Sequence, residues 1–178
     1  MQAFRKNWFL IFIPIVLIPL YLVTFFGMPT IHLPFLYFNQ TASLPRGYYL
    51  AIPTLSIRNG DIVAYEEKDI LDYAKGMGWL SEDTDTSRMD MTKHAALPGT
   101  HYRIGEDGNF YVNGSFVGKI YVANQLGQPF PHQKPGDYVV PEGMFLPYTY
   151  APLSFDGRYT GLVKLQKIRH RVIPLFTF

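Results

Sequence analysis

The most apolar part of the chain is residues 8–28, where Thr24 is the only polar side chain. It lies within residues 7–45, which contain no Asp, Glu, Lys or Arg. A soluble helix would show polar residues at helical spacing, and none occur here. A helix of this length spans about 30 Å, the thickness of a bilayer core. The pattern therefore predicts a transmembrane helix over residues 8–28, bent at Pro14 and Pro19.

A cleavable signal peptide is the alternative for this segment. The apolar region of such a peptide is about 7–15 residues long and ends at a site of small residues. The stretch here is longer, and residues 24–28 offer no convincing site. We therefore expect an uncleaved, single-pass anchor. Arg5 and Lys6 hold residues 1–7 in the cytoplasm, so residues 29–178 face outward. In a Gram-negative bacterium the anchor lies in the inner membrane and the outer domain in the periplasm.

The apolar character continues through residues 29–38, and Pro29 and Pro34 make a second span implausible. Two interpretations stay open for this segment. It is an apolar strand that enters the core, or an apolar lip on the bilayer surface. The strand is favoured.

Beyond Arg46 the pattern changes to short β-rich runs separated by turn residues. The dipeptide Asn59-Gly60 indicates a hairpin, and the polar, turn-rich residues 66–90 predict an insertion with a helix over Glu67–Lys75. The fold class predicted is mostly β, with short antiparallel strands and a small helical insertion. The predicted strands are Tyr48–Ile52, Ile62–Tyr65, three strands within residues 104–120, Tyr138–Val140 and Gly161–Gln166.

Charge and composition exclude several classes of protein. Of the 16 Lys and Arg residues only Arg5 and Lys6 precede Arg46, so the remainder of the chain balances its 14 Asp and Glu residues. A neutral outer domain is not typical of a nucleic-acid binder. Zero cysteines exclude disulfides and thiolate chemistry. No metal site or cofactor is expected, because no HExxH, P-loop or GxGxxG motif occurs and the histidines are scattered at 32, 94, 101, 132 and 170.

Serine chemistry remains, and it is indicated by three short segments. No GxSxG motif is present, but a serine can also be activated by a lysine. The segments are residues 41–49, which read T-x-S-x-P-x-G-x-Y, residues 93–99 with Lys93 and Leu97-Pro98-Gly99, and residues 154–161 with Ser154, Asp156, Arg158 and Tyr159.

These segments, with residues 59–65, resemble the boxes of type I signal peptidases, and most closely the TraF-like branch that matures pilin in conjugative transfer systems. Val112-Asn113-Gly114 and residues 140–143 also occur in the family's order. The resemblance runs from the anchor to about residue 165. It departs from the family at Gly157, where a serine is usual, and at His94, where an arginine commonly follows the lysine.

The resemblance implies a role for each site residue. Ser43 would attack the scissile carbonyl and form an acyl-enzyme, and Lys93 would be the general base. That role requires burial to lower the lysine pKa from about 10.4. The Ser43 N–H and the Thr41 hydroxyl would hold the oxyanion. Ser154 would orient the Lys93 amine, and Asp156 and Arg158 would form a supporting ion pair.

The function that follows is a membrane-anchored serine endopeptidase that cleaves a pilin-like precursor in a conjugative transfer system. The branch is also associated with cyclisation, in which the pilin's own amine intercepts the acyl-enzyme. Two alternatives stay open: a general type I signal peptidase, and a non-catalytic envelope protein that assists assembly of a secretion apparatus. The partners expected are the precursor, the bilayer and other transfer proteins, without nucleic acid.

Overall fold

The structure is a computed structural model, and it describes residues 17–18, 35–53, 56–78, 82–83, 86, 90–123, 127 and 129–178. Leu17 and Ile18 are helical. The remainder of the predicted anchor and the cytoplasmic segment 1–7 lie outside the described residues. No helix in the described ranges is long and apolar enough to cross a membrane. The compact unit Pro34–Phe178 carries all the site residues named above.

Among its described residues, this unit is built from short strands and a few short helical segments. The helices are α1, Lys68–Gly76, the one-turn helix α2, Gly157–Thr160, and a 3-10 turn at Leu165–Lys167. The strands are β1 Leu36–Asn39, β2 Gly47–Ile52, β3 Ile62–Glu66, β4 Asp90–Ala96, β5 His101–Ile104, β6 Asn109–Val112, β7 Ser115–Lys119, β8 Gly136–Val139, β9 Met144–Tyr148, β10 Val163–Lys164 and β11 Ile168–Thr177.

The strands form two antiparallel sheets. The larger has the order β1-β2-β11-β3-β4-β9-β10, and the smaller has the order β7-β6-β5-β8. In the larger sheet Val63 lies opposite Lys93, and Arg171 of β11 lies opposite both Ile52 and Val63. The last strand of the chain therefore joins the two halves of the larger sheet.

Three apolar clusters form the core. The largest packs the small sheet and the end of β4 together, around Phe110, Leu146 and Tyr159. The other two lie against β3: Val63 and Tyr65 pack with Phe145, whereas Ala64 packs with Leu44, Tyr49 and Val172. Successive residues of β3 point to opposite faces of the sheet, so this strand is covered on both sides.

The prediction of a mostly β, antiparallel fold with few helices is confirmed. Residues 104–120 form β6 and β7 after the end of β5, joined by turns at Asp107-Gly108 and Asn113-Gly114 as predicted. The helix in the predicted insertion begins at Lys68 and ends at Gly76, one residue later at each end than expected. Residues 36–39 form a strand, the interpretation that the sequence favoured for the apolar segment.

The hairpin expected at Asn59-Gly60 is wrong. A turn forms there, with the Asp61 N–H donating to the Arg58 carbonyl at 3.1 Å. The strands that flank it do not pair, because β11 lies between β2 and β3. The Asn59 side chain instead accepts hydrogen bonds from the Leu97 N–H and the Thr100 hydroxyl, at 2.6 and 2.9 Å. The turn therefore holds the segment after β4 rather than closing a hairpin.

Candidate active site

Ser43 lies on the loop that joins β1 to β2. Its Oγ is 2.8 Å from Oγ1 of Thr41. The loop forms one wall of an open groove of about 400 Å³, and the other wall comes from β4 and the segment after β9. The groove is lined by Ala42, Ser43, Leu44, Pro45, Arg46, His94, Tyr150 and Ala151.

Gly47 explains part of the T-x-S-x-P-x-G-x-Y pattern. It lies opposite Thr177 of β11, with φ +143°, a value that L side chains rarely adopt. A Cβ at this position would overlap the Phe176 carbonyl oxygen. The close approach of β11 therefore requires glycine where the serine loop re-enters the sheet. Tyr49, at the end of the motif, is fully buried, and its hydroxyl donates to the Pro45 carbonyl at 2.8 Å.

Lys93 lies in the middle of β4 and is only 5% exposed. Burial lowers the pKa of its amine from 10.5 to about 8, while the nearby charge of Asp156 raises this pKa and that of Arg158 lowers it. Its Nζ donates to Oγ of Ser154 at 3.1 Å. A lysine with a pKa of about 8 is partly neutral near physiological pH, so it can accept a proton.

Asp156 and Arg158 form a fully buried ion pair behind the lysine. Arg158 Nε donates to Oδ1 of Asp156 at 2.9 Å, and Nη2 donates to Oδ2 at 3.0 Å. Nη2 also donates to the carbonyls of Ala151 and Ser154, at 2.7 and 3.2 Å. The bidentate pair thus ties residues 151–158 into one rigid loop.

The two positions where the sequence departs from the family have local explanations. A Cβ at residue 157 would press against the Pro147 carbonyl and the Leu146 side chain, so glycine suits this backbone. The His94 ring lies in the groove, and its Nδ1 is 2.8 Å from the Gly60 carbonyl. The Gly60 carbonyl can only accept, so Nδ1 carries a proton in this contact.

The predicted site residues form three hydrogen-bonded pairs: Thr41 with Ser43, Lys93 with Ser154, and Arg158 with Asp156. Among the described residues no hydrogen bond joins Ser43 to Lys93. Ala151 lines the groove beside which Ser43 lies, and its carbonyl accepts from the Ser154 N–H at 3.2 Å. The loop after β9 therefore carries Ser154 and forms part of the groove.

Sequence reasoning missed two contributors to this region. Asn39 is the last residue of β1, and its side chain is buried under the serine loop. Phe155, between Ser154 and Asp156, stacks on Tyr73 of α1 with the ring planes 11° apart. An asparagine before a turn is a weak local indication of the Asn39 contacts. The contact of Phe155 with Tyr73 joins segments distant in sequence, so no local pattern indicates it.

A serine beside an open groove and a buried lysine of lowered pKa are typical of a class, the serine peptidases that use lysine as their base. Residues 5–176 match the family model described as signal peptidase, peptidase S26. The chain therefore belongs to the signal peptidase family S26, and it is a serine endopeptidase of the signal peptidase I type.

Two further comparisons add little beyond the family. A crystal structure of a signal peptidase I from Enterococcus faecalis aligns with 68% of this chain and 100% of that chain, at 18% sequence identity and a TM-score of 0.39. No curated protein matches the chain.

Proposed function

We propose that the chain is a membrane-anchored peptidase of the TraF-like branch, which cleaves a pilin-like precursor through a Ser43 acyl-enzyme with Lys93 as general base. The observation that carries the catalytic part of the proposal is the buried Lys93 amine, whose pKa is lowered to about 8. The branch and its pilin substrate rest on the motif resemblance of residues 41–49. A lysine without a functional role is seldom buried in an apolar environment without a carboxylate bonded to it. Here the hydrogen-bond acceptor is the neutral hydroxyl of Ser154.

In the first step the Ser43 hydroxyl rotates from Thr41 toward the Lys93 amine, which takes its proton. Ser43 Oγ then bonds to the scissile carbonyl carbon, and the oxyanion is stabilised by the Ser43 N–H and the Thr41 hydroxyl. Lys93 returns the proton to the leaving amine as the peptide bond breaks. Water, or the amine of the pilin chain in the case of cyclisation, then attacks the ester while Lys93 takes its proton. Lys93 returns this proton to Ser43 Oγ as the ester bond breaks.

Ser154, Asp156 and Arg158 support this chemistry without touching the reacting atoms. Ser154 holds the amine in one orientation, and the ion pair holds the loop that carries Ser154. Because neutral Lys93 retains an N–H to donate to Ser154, this orientation persists after deprotonation. The three residues thus position the base.

Membrane anchoring by residues 8–28, with the catalytic domain in the periplasm, would bring Ser43 close to the outer surface of the bilayer. Ser43 follows the predicted span by about 15 residues, so it is tethered near that depth. A precursor confined to the same membrane then meets the groove at a high effective concentration. Other proteins of the transfer system are the further partners expected.

The test is precursor processing by the full chain in membranes, with Ser43→Ala and Lys93→Ala compared against Ser115→Ala and Lys119→Ala. The control residues are an exposed serine and an exposed lysine on β7. We expect both site variants to lose processing and both controls to retain it. Processing that survives either site substitution contradicts the assigned dyad, and an inactive wild-type chain favours the role in envelope assembly.

Mass spectrometry of the product separates the remaining possibilities. Cyclisation yields a mature pilin that is lighter by one water than the linear product. A linear product supports hydrolysis alone. Cleavage of many unrelated exported precursors at comparable rates would favour a general signal peptidase over the specialised branch.

A further inference from the structure

Asn39 is the last residue of β1, lies opposite Gly47 in the register and is 6% exposed. The serine loop is therefore the connection between these two residues. The two N–H groups of Asn39 Nδ2 are shared among three carbonyls of this loop, those of Thr41, Leu44 and Pro45, at 2.9, 3.0 and 3.2 Å. One buried amide thus ties down both sides of Ser43.

The same side chain determines which hydroxyl donates and which accepts in the contact between Thr41 and Ser43. Three carbonyls require a donor, so the amide nitrogen must face the loop and its oxygen must face Thr41. Oδ1 can only accept, and the Thr41 hydroxyl donates its single proton to it at 3.1 Å. In the contact between Thr41 and Ser43 the donor is then the Ser43 hydroxyl.

We propose that Asn39 is a positioning residue of the peptidase: it holds the serine loop by its carbonyls and, through Thr41, directs the Ser43 proton. This inference rests on the proposed role of Ser43 as nucleophile. In the resting state the Ser43 proton is donated to Thr41, and the serine lone pairs face away from Thr41. Reaction begins when the Ser43 hydroxyl leaves this contact for the Lys93 amine, while the loop itself stays fixed. The Thr41 hydroxyl has a single proton, so it turns that proton from Asn39 Oδ1 to the oxyanion when the oxyanion forms.

The test uses Asn39→Ala and Asn39→Asp in the full chain, with Asn109→Ala as the matched control. Asn109 bonds Asp107 within an exposed turn of the small sheet. Misplacing a reacting group by about 1 Å costs about a hundredfold in rate, so we expect kcat to fall about tenfold to a hundredfold in both Asn39 variants. KM should change less than kcat, because Asn39 bonds Leu44 and Pro45 on only one wall of the groove.

The aspartate variant adds a pH readout that simple destabilisation would not give. Its carboxylate faces three carbonyl oxygens and cannot donate to them, whereas a protonated carboxyl has one O–H to donate. The ratio of its kcat to that of the wild type should therefore rise as the pH falls from about 8 to about 5. Near-UV circular dichroism at each pH shows that the protein compared is folded.

The role of Thr41 is checked by adding Thr41→Val to each Asn39 variant. If Asn39 acts partly through Thr41, substitution of Asn39 should lower kcat by a smaller factor in the valine background than in the wild type.

Asn39 variants with kcat within about threefold of the wild type, or with KM alone changed, overturn the inference. If Asn39→Ala does not fold, the test is the ratio of the Asn39→Asp kcat to the wild-type kcat at each pH. A ratio that stays constant from about pH 8 to about pH 5 overturns the inference. Activity retained by Ser43→Ala would instead refute the proposed function.

Discussion

At the scale of single residues, the protonation state of Lys93 links activity to stability. The folded protein holds this amine at a pKa of about 8, against 10.5 for an exposed lysine. The folded state thus binds fewer protons than the unfolded state between these two values. Burying the amine disfavours folding most when the amine is charged, so it costs stability below pH 8.

The rate of precursor processing should rise as the pH increases through about 8 and level off above it. The reason is that only the neutral amine of Lys93 can take the Ser43 proton, and the neutral fraction grows above the pKa. The measurement is kcat/KM against pH with the full chain in detergent micelles. A profile that falls over this range would exclude Lys93 as the base.

Lys93→Met should abolish processing and stabilise the fold at pH 7. The pKa shift corresponds to about 3 kcal/mol of unfavourable burial, partly offset by the lost bond to Ser154, so we expect a net gain of about 1–2 kcal/mol. Urea unfolding at several pH values measures this. The gain should shrink between about pH 8 and pH 10.5, where the wild-type amine is neutral in the folded state and still charged in the unfolded state. An equal difference at all pH values would mean that the charge is not its source.

At the scale of secondary-structure elements, the site depends on close contacts between segments that are far apart in sequence. Gly47 of β2 lies directly against the backbone of β11. Tyr73 of α1 stacks on Phe155, which in turn stacks on Tyr159 at a centroid distance of 5.4 Å. The helix of the insertion therefore packs on the loop that carries Ser154.

Gly47→Ala should destabilise the domain by about 3 kcal/mol or more, because the backbone would be strained and the new methyl group would overlap the Phe176 carbonyl. Urea unfolding gives the value. Gly76→Ala is the matched control: a Cβ there meets nothing within 4 Å, and alanine should add about 0.5 kcal/mol of stability at this helix end. A neutral Gly47→Ala would show that β11 does not approach β2 as described.

The stacking of Tyr73 on Phe155 should appear as a coupling free energy of about 0.5–1.5 kcal/mol in a double-mutant cycle with alanine. Unfolding free energies of the wild type, both single variants and the double variant provide it. The exposed pair Phe176 and Phe178 is the control, for which we expect a coupling near zero. Additive effects at Tyr73 and Phe155 would show that the insertion packs independently of the site.

At the scale of the whole domain, the larger sheet is completed by the last strand of the chain. β11 lies between β2, which follows the serine loop, and β3, which pairs with the strand of Lys93. The strands that carry the serine loop and Lys93 are therefore joined in one sheet only when residues distant in sequence have paired. Such non-local topology is typical of slow folding.

Removal of residues 168–178 should prevent cooperative folding. The deletion separates β1 and β2 from the other strands of the sheet and uncovers Val172's neighbours Leu44 and Ala64. Circular dichroism during urea titration tests this. Removal of Phe178 alone, which is exposed and donates one backbone hydrogen bond to Arg46, should cost about 1 kcal/mol or less. A cooperative transition in the longer deletion would refute this role for β11.

The sequence by itself determined the local elements. Dipeptides such as Asn113-Gly114 specify tight turns through backbone conformation alone. The spaced motifs around Ser43, Lys93 and Ser154 identified the family, which the match over residues 5–176 shows. The helix predicted over Glu67–Lys75 agrees with α1, Lys68–Gly76, to within one residue at each end. These are properties of short segments, so pattern and motif were sufficient for them.

Only the tertiary structure decided which strands pair, which charges are buried and what holds the serine loop. Strands β4, β9 and β11 were not predicted. Along these strands polar and apolar residues do not alternate in a regular way, so the sequence lacks the usual pattern of a strand. The lowered pKa of Lys93 depends on neighbours from β3 and the loop after β9. The role of Asn39 depends on a loop that folds back over its own strand. Each is a consequence of long-range packing, which local sequence cannot specify.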